Sequence, residues 1–416
     1  MLEQGVKAYG YRWVVLLVFM AITALNQLLW ITFAPITHDA AAFYGVSDLS
    51  IGLLSLSFMI VYIFVSIPAS WMIDRYGFRW AVGIGAVLTG VFGLTRGLLA
   101  NDFTWVMISQ IGIAIGQPFI LNAVTTVAAR WFPVDERATA AGLGSLAIYL
   151  GILGGLVLTP YLTLHMAIPS TLVLYGAGSV IAAALFITLS REHPPTPAGP
   201  AGEEAKALMF DGLKRVVRNR NFVVLLAVFF VGLGVFNAVT TWIEEILSPR
   251  GFSSTQAGVT GGVMIVGGIV GALVLPALSD RSRKRVPFIL AALVGASVAL
   301  LGLTLAGSYG LLLTSAFGLG FFLLSAGPIG FQYGAEITYP VPEGTSNGLL
   351  LLMGQNSGIV FIVGMDSLKS PSTGSMTVPL LALVALTVLG FFLSTRLRES
   401  TWLAGAESGG GSRPAG

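Results

Sequence analysis

Cysteine is absent from this chain of 416 residues, and histidine occurs only three times. A chain without cysteine has no disulfide, no iron–sulfur cluster and no thiolate zinc site. Charged residues are also scarce at 10% of the sequence, whereas a soluble domain carries about 25%. This low charge indicates that water is not the main solvent of the protein, and we expect neither a metal site nor a cofactor.

Long apolar runs dominate instead. Hydrophobic residues make up 55% of the chain and the mean hydropathy is +0.85. A helix needs about 20 apolar residues to cross a membrane, and the runs that satisfy this lie near 12–37, 49–73, 79–100, 103–130, 137–161, 168–190, 221–247, 256–279, 286–306, 309–338, 345–367 and 376–395. The sequence therefore predicts an all-α integral membrane protein with twelve transmembrane helices, numbered here as spans one to twelve.

Basic residues sort by membrane side. With both termini inside, nearly all Lys and Arg residues are cytoplasmic, and only Arg250 and Lys369 fall outside, with Arg96 near the outer end of span three. This asymmetry obeys the positive-inside rule. The basic residues form no patch that predicts a nucleic acid partner. The first apolar run lacks a cleavage site, so we expect it to remain as span one rather than to be removed as a signal peptide.

A proline-rich and charged stretch divides the spans six and six. It predicts a cytoplasmic linker at 191–220 between bundles at 1–190 and 221–396, followed by a cytoplasmic tail at 397–416. Similar loops recur on both sides, since Asp74 and Asp280 are 206 residues apart, as are Gly142 and Gly348. Such duplication predicts two pseudo-symmetric six-helix bundles around a central cavity, with the substrate near mid-membrane.

The duplicated loops resemble those of the major facilitator superfamily. Ser70-x-x-x-Asp74-Arg75-x-Gly77-x-Arg79 follows span two and Pro276-x-x-x-Asp280-Arg281 follows span eight, although Ser70 and Pro276 stand where the superfamily has glycine and Phe78 replaces an arginine. A carboxylate at one helix end can pair with arginines of a neighbour and hold one state of a transport cycle. We therefore expect a conformational latch from Asp74, Arg75, Arg79, Asp280 and Arg281. Ordinary charge that only sets membrane orientation is the alternative.

Few polar side chains lie at mid-span, where they either line a cavity or bridge helices. Asn26 and Trp30 share one face of span one, while Gln117 and Gln355 lie at the midpoints of spans four and eleven. Tyr149, Asn237 and Trp242 join these candidates by depth. We expect all seven residues to contact substrate, with helix bridging as the alternative for the amides.

Longer motifs resemble the feline leukaemia virus subgroup C receptor family of choline and haem-associated carriers. They are Asn26-x-x-x-Trp30, Gln117-x-Phe119-Ile120-Leu121, Gly320-Phe321-Phe322, Pro328-x-Gly330-Phe331, Glu336-x-Thr338-Tyr339-Pro340 and Glu343-Gly344-x-Ser346-x-Gly348-Leu349-Leu350 with Gln355. The resemblance implies that Trp30, Gln117 and Gln355 enclose a quaternary ammonium. The sequence departs from the family at Asn237, where the family has a tyrosine.

Acidic residues near the span ends are candidates for coupling or gating. Glu244 and Glu245 end span seven on the outer side, where they are placed to attract cations or to titrate, but this position favours simple solvation. Glu336 near the inner end of span ten favours pairing with basic loop residues over a proton relay. The three histidines lie near membrane edges or in the linker, so none of them suggests a metal site or a proton shuttle.

These features predict an alternating-access secondary transporter of a small organic solute in the plasma membrane, with an organic cation or amine alcohol favoured by the resemblance. A carrier of a neutral or anionic metabolite, such as a sugar, vitamin or carboxylate, is the alternative. No Lys or Arg lies at mid-depth, which argues against an anionic substrate. A receptor without transport is a further alternative, and no cluster of groups at one depth supports an enzyme. Pairs such as Gly151 and Gly155 indicate helix packing rather than dimerisation, so we expect a monomer.

Overall fold

Helices form most of the chain that the structure describes. The computed structural model describes residues 9–133, 136–196, 216–339, 341 and 343–399, which leaves most of the expected linker and tail outside the described residues. The helices are α1 (Arg12–Ile31), α2 (Thr37–Tyr44), α3 (Asp48–Tyr76), α4 (Phe78–Leu98), α5 (Phe103–Leu121), α6 (Val124–Trp131), α7 (Arg137–His165), α8 (Ile168–Leu189), α9 (Arg220–Thr241), α10 (Ile243–Leu247), α11 (Ser254–Ser282), α12 (Val286–Leu305), α13 (Tyr309–Thr338), α14 (Glu343–Ser367) and α15 (Thr377–Ser394). No strand occurs among these described residues.

Twelve helical segments of the described chain are long and apolar enough to cross a membrane, which confirms the predicted number of spans. Span one comprises α1, a short 3-10 turn (Ala34–Ile36) and α2, and span four comprises α5 and α6. Large apolar side chains remain exposed along the helices, including Phe64 at 73% and Leu273 at 70%. Such exposure is costly in water and favourable in lipid, so these surfaces suit a bilayer.

The helices repeat at the interval of the duplicated loops. Helices α3 and α11 are both 29 residues long, and their first residues, Asp48 and Ser254, are 206 positions apart. The starts of α5 and α13, at Phe103 and Tyr309, differ by the same 206 positions. The duplication that the loops indicate therefore extends through the spans themselves.

The chain forms two compact units. The first consists of Met1–Glu204, Val239–Gly262 and Thr373–Ser375, and the second consists of Ala205–Ala238, Val263–Ser372 and Met376–Gly416. The first unit therefore contains spans one to six together with α10 and the start of α11. We call its two faces the α2 end and the α6 end, after the short helices that lie there.

Small residues allow the helices to approach closely within each unit. In the first unit α1 packs against α7, where a Cβ at Gly151 would collide with the Ala24 carbonyl and one at Gly155 would lie 3.1 Å from the Leu28 carbonyl. In the second unit Gly267 and Gly271 lie in the same way against backbone carbonyls of α13. These Gly-x-x-x-Gly pairs are therefore contacts between neighbouring helices of one chain.

Candidate functional site

Trp30 lies where span one stops being a regular helix. Helix α1 ends at Ile31 and the chain continues as the 3-10 turn, in which Pro35 has no N–H to extend the helix. Trp30 is 6% exposed, and its indole N–H donates to the Ser55 carbonyl at 3.1 Å. The ring is thus fixed to span two at an interrupted helix, which is the backbone feature that transporters use at substrate sites.

Span four is interrupted as well. Helix α5 ends at Leu121, three residues after Pro118, and α6 begins at Val124. Asn122 fills the break, because its Nδ2 donates to Ser66 Oγ and Ser70 Oγ at 3.0 Å each and its Oδ1 accepts from the Tyr62 hydroxyl at 2.7 Å. We did not predict a role for Asn122 from the sequence, although asparagine is one of the residues that end helices.

Gln117 lies just before this second break. It is only 6% exposed, yet its amide makes no hydrogen bond with any residue that the structure describes. A buried amide without a protein partner is costly unless water or a ligand satisfies it. The Gln117 amide is therefore available to bind water or a polar solute.

Asn26 bridges helices. Its Nδ2 donates to Thr89 Oγ1 at 3.1 Å and to the Ile113 carbonyl at 3.4 Å, and the residue is fully buried. These bonds join α1 to α4 and α5, so Asn26 makes the contacts of the bridging alternative. Tyr149 on α7 is half-buried, and its hydroxyl has no partner among the described residues.

The Asn26 contact also sets the relative depths of two predicted site residues. Helices α1 and α5 run antiparallel, since Asn26 contacts Ile113 whereas Leu29 contacts Gln110. Trp30 and Gln117 each lie four residues beyond the Asn26–Ile113 contact, in opposite directions. At 1.5 Å per residue they are separated by about 12 Å along the helices, so Trp30 is nearer the α2 end and Gln117 is nearer the α6 end.

In the second unit Asn237 and Gln355 come together. Asn237 Nδ2 donates to the Gly354 carbonyl at 3.3 Å, which places it beside Gln355 on α14. Both side chains are half-buried, and the Gln355 amide has no hydrogen-bond partner among the described residues. Trp242 does not lie with Asn237 and Gln355 in the second unit, because it belongs to the first unit. It is fully buried against Gly52, where a Cβ would lie 2.5 Å from the Trp242 ring.

The expectation of solvated carboxylates on α10 is wrong. Glu244 and Glu245 are only 2% and 3% exposed. Glu244 Oε2 accepts the His38 backbone N–H at 2.7 Å and Glu244 Oε1 accepts the Ser254 hydroxyl at 2.6 Å. The carboxylate thus lies between the first turns of α2 and α11, whose helix dipoles favour a negative charge, and these neighbours remove it from water.

His38 also lies beside acidic groups. Its Nδ1 is 3.7 Å from Asp48 Oδ1 and 4.0 Å from Glu245 Oε1. Imidazole and carboxylate are donor types that bind divalent cations, and the ligand atoms of the three residues lie within 4.8 Å of one another. The sequence does not predict this group, because its members come from three separate segments.

Charged residues at the α6 end cap a helix. Glu192 accepts the backbone N–H groups of Phe78 at 3.1 Å and Arg79 at 2.7 Å, and it pairs with Arg130. Glu192 thereby satisfies the free N–H groups that begin α4. Asp74 and Arg75, two predicted latch residues, are exposed beside this cap.

The second unit repeats this cap 207 residues later. Glu399 accepts the backbone N–H groups of Arg285 and Val286 at 3.0 to 3.1 Å, at the start of α12. The Arg285 side chain pairs with Glu336 at 3.1 Å and also with Asp280. Asp280 and Glu336 therefore contact one arginine of their own unit, whereas Arg281 is exposed and has no partner among the described residues.

Comparison with known proteins decides the family. The model of the Major Facilitator Superfamily matches residues 14–363. The chain belongs to the major facilitator superfamily. The crystal structure of a bacterial homologue of the human lysosomal transporter Spinster, inward-facing and unoccupied, has the same fold with a TM-score of 0.76, at 18% identity over 94% of this chain and 98% of that one.

Similarity to curated relatives extends over most of this chain. Solute carrier family 49 member A3 of Xenopus tropicalis is 31% identical over 383 residues, which are 88% of this chain and 79% of the relative. The choline/ethanolamine transporter FLVCR1 of Felis catus is 30% identical over 389 residues, which are 88% of this chain and 70% of the relative. The chain is similar to both, and the resemblance seen in its motifs is confirmed.

The family and the helices together establish what kind of protein this is. It is a multi-pass membrane protein with twelve spans and a secondary transporter of a small organic solute. The superfamily consists of transporters and not of enzymes. Trp30 and Gln117 lie at the breaks of the first and fourth spans, and interrupted helices form the substrate sites of many transporters.

Proposed function

We propose that this transporter carries a small organic cation of the choline and ethanolamine class, and that Trp30, Gln117, Gln355 and Asn237 contact it. The observation that carries the proposal is the pair of glutamine amides at Gln117 and Gln355, which have no partner among the described residues. Amide oxygens orient a cation without the strong attraction of a carboxylate. Relatives that are named choline/ethanolamine transporters support the same substrate class.

Trp30 supplies the aromatic surface of this proposal. The face of an indole ring attracts a desolvated ammonium by about 0.5 to 2 kcal/mol. The hydrogen bond from the indole N–H to the Ser55 carbonyl holds the ring in one orientation. Because this bond is made at the ring edge, it does not cover the ring face. A ring held in advance loses little entropy when the cation binds.

Asn237 favours an amine alcohol that carries N–H groups. Its Nδ2 is engaged by the Gly354 carbonyl, so its Oδ1 remains as a hydrogen-bond acceptor. A primary ammonium can donate to this oxygen, whereas a quaternary ammonium has no N–H to donate. We therefore propose that ethanolamine and related primary amines bind at least as well as choline.

We further propose the surroundings in which the transporter acts. We place it in the plasma membrane, as its resemblance to choline and ethanolamine transporters suggests. The distribution of Lys and Arg supports cytoplasmic termini and a cytoplasmic 191–220 linker, which makes the α2 end the outer face. The bundles would then comprise 1–190 and 221–396, with the tail at 397–416, in a monomer. Asp74, Arg75, Arg79, Asp280 and Arg281 would form the cytoplasmic latch.

Uptake into proteoliposomes tests the substrate class directly. Purified transporter is reconstituted, and radiolabelled ethanolamine, choline, a sugar and a dicarboxylate are each offered at equal concentration. We expect uptake of the two ammonium compounds, with ethanolamine at least equal to choline, and none of the other two. Gln117→Ala and Gln355→Ala should each raise KM, since each removes one proposed acceptor. Uptake of the sugar or the dicarboxylate without the ammonium compounds would exclude the proposal.

A further inference from the structure

Arg96 is a charged residue within a membrane span that is completely buried. It lies in the last turn of α4 and is 0% exposed, although the sequence placed it simply near the outer end of span three. An ionised side chain in this setting is costly and marks a functional site by default. Within the described part of the chain Arg96 forms no ion pair, so its role is to be sought in neutral partners.

Those partners lie at the end of α1. Arg96 Nη1 donates to the Leu29 carbonyl at 2.9 Å and to Gln110 Oε1 at 2.6 Å, while Nη2 donates to Thr32 Oγ1 at 3.3 Å. The guanidinium carbon is also 5.5 Å from the centre of the Phe33 ring. A planar group with several donors can hold such a set of acceptors in one geometry, which a lysine cannot reproduce.

The end of α1 needs such a partner. Its last carbonyls have no N–H of their own helix to bind, and side chains satisfy three of them in succession. Thr32 Oγ1 donates to Leu28 at 2.8 Å, Arg96 and the Gln110 amide donate to Leu29, and Ser55 Oγ lies 3.5 Å from the Trp30 carbonyl. The positive charge of Arg96 also lies against the negative end of the α1 dipole.

We propose that Arg96 is a positioning residue for the substrate site, because it fixes the interrupted end of α1 and thereby holds the Trp30 ring where the cation binds. Trp30 lies between Leu29 and Thr32, the two α1-end residues that Arg96 binds. This proposal rests on the proposed function, in which Trp30 contacts the ammonium group. Arg96 itself does not touch the substrate.

The test compares Arg96→Gln, Arg96→Lys and the milder Thr32→Val, with Arg220→Gln as a control that removes an exposed arginine. Loss of hydrogen bonds to a charged group should raise the KM for choline and ethanolamine about tenfold in Arg96→Gln, with kcat changed less than KM. Arg96→Lys should retain the charge and recover only part of the affinity, and Thr32→Val should show a smaller rise. Arg220→Gln should match the wild type.

A second set of measurements separates positioning from a merely structural role. In the Trp30→Ala background Arg96→Gln should cause little further rise in KM, because the residue it positions is already gone. Amide hydrogen exchange of residues 29–36, measured without substrate, should be faster in Arg96→Gln. Faster exchange with unchanged KM, or fully additive effects of the two substitutions, would overturn the proposal. If the wild type transports neither ammonium compound, the proposed function fails together with the substrate part of this inference. If amide hydrogen exchange of residues 29–36 is unchanged in Arg96→Gln, Arg96 does not fix the end of α1.

Discussion

His38 and Glu244 occupy equivalent positions of the two repeats, 206 residues apart, and they contact each other: the His38 backbone N–H donates to Glu244 Oε2 at 2.7 Å. Ser254 lies on the other side of the carboxylate and also contacts Asp39 at 3.3 Å. The contact joins the first turn of α2 to α10 and to the first turn of α11. In the orientation that we propose, it lies at the outer face.

This contact should depend on pH. The pKa of the Glu244 carboxyl is raised from 4.5 to about 7. Burial is the largest cause of this net shift, the hydrogen bonds from Ser254 and His38 oppose it, and the nearby carboxylates of Asp39 and Glu245 add to it. Because the folded pKa lies above the unfolded one, the stabilisation is complete below about pH 4.5 and is lost as the pH rises through about 7. A protonated Glu244 can still accept from the His38 N–H and donate to Ser254 Oγ.

Thermal unfolding in detergent between pH 5.5 and 8.5 checks this prediction. The Tm of the wild type should fall as the pH rises through 7, and Glu244→Gln should lack that part of the fall, because a glutamine cannot ionise. Asp102→Asn, which changes an exposed carboxylate, serves as the control and should follow the wild type. Parallel Tm curves for the wild type and Glu244→Gln would contradict the prediction. Asp48 and His38 also face this region, and their substitution is a separate experiment.

Replacing Trp30 should grade the affinity for a cation. Phenylalanine retains a weaker ring face and alanine retains none, so the affinity for choline should fall in the order Trp, Phe, Ala, by about 2- to 30-fold between the extremes. Binding measured by calorimetry checks the order. The matched ligand is 3,3-dimethyl-1-butanol, the neutral carbon analogue of choline, which competes without a charge. Equal losses for both ligands would mean that Trp30 contributes shape or its Ser55 contact rather than attraction for the cation.

Sequence was sufficient for the spans because lipid imposes a long apolar run on every helix that crosses it. It also revealed the duplication, since loops such as those at Asp74 and Asp280 keep their interval of 206 residues. The interrupted helices were only partly foreseeable. Pro35 and Pro118 mark the two breaks, but prolines also occur within unbroken helices such as α3 and α7.

Burial of charged groups was beyond sequence because it depends on tertiary contacts. Glu244 reads as a solvated residue at a span end until His38 and Ser254 are known to cover it. Arg96 reads as a surface arginine until the end of α1 lies against it. In both cases the partners are distant in the chain, and periodicity within one helix carries no information about them.

The proposed orientation predicts which thiols an impermeant reagent can reach. The chain has no cysteine, so Ala205→Cys in the linker and Asn101→Cys between spans three and four are the only labelling sites in their proteins. In intact cells Asn101→Cys should react and Ala205→Cys should react only after permeabilisation. Labelling of Ala205→Cys from outside would show that the linker is not cytoplasmic.

The duplicated aspartates should control turnover rather than affinity. Asp280 pairs with Arg285, which also holds Glu336, and Asp74 is the equivalent residue of the first repeat. Asn retains the size of Asp but not its charge, so Asp74→Asn and Asp280→Asn should shift the balance between transport states. A change of about fivefold or more in the equilibrium between these states lowers kcat and leaves the binding residues untouched.

Uptake rate and equilibrium binding, measured on the same preparations, distinguish the two effects. We expect each variant to bind choline or ethanolamine with a Kd within about twofold of the wild type, because a change of populations by a modest factor alters apparent affinity only slightly when neither state is rare. Arg281→Gln is the informative companion, since Arg281 is exposed and has no partner among the described residues. If Arg281 engages an aspartate in another state of the cycle, Arg281→Gln should slow uptake to a similar extent. Normal turnover in both aspartate variants, or loss of binding in either, would contradict the latch and favour charges that only set the orientation of the protein in the membrane.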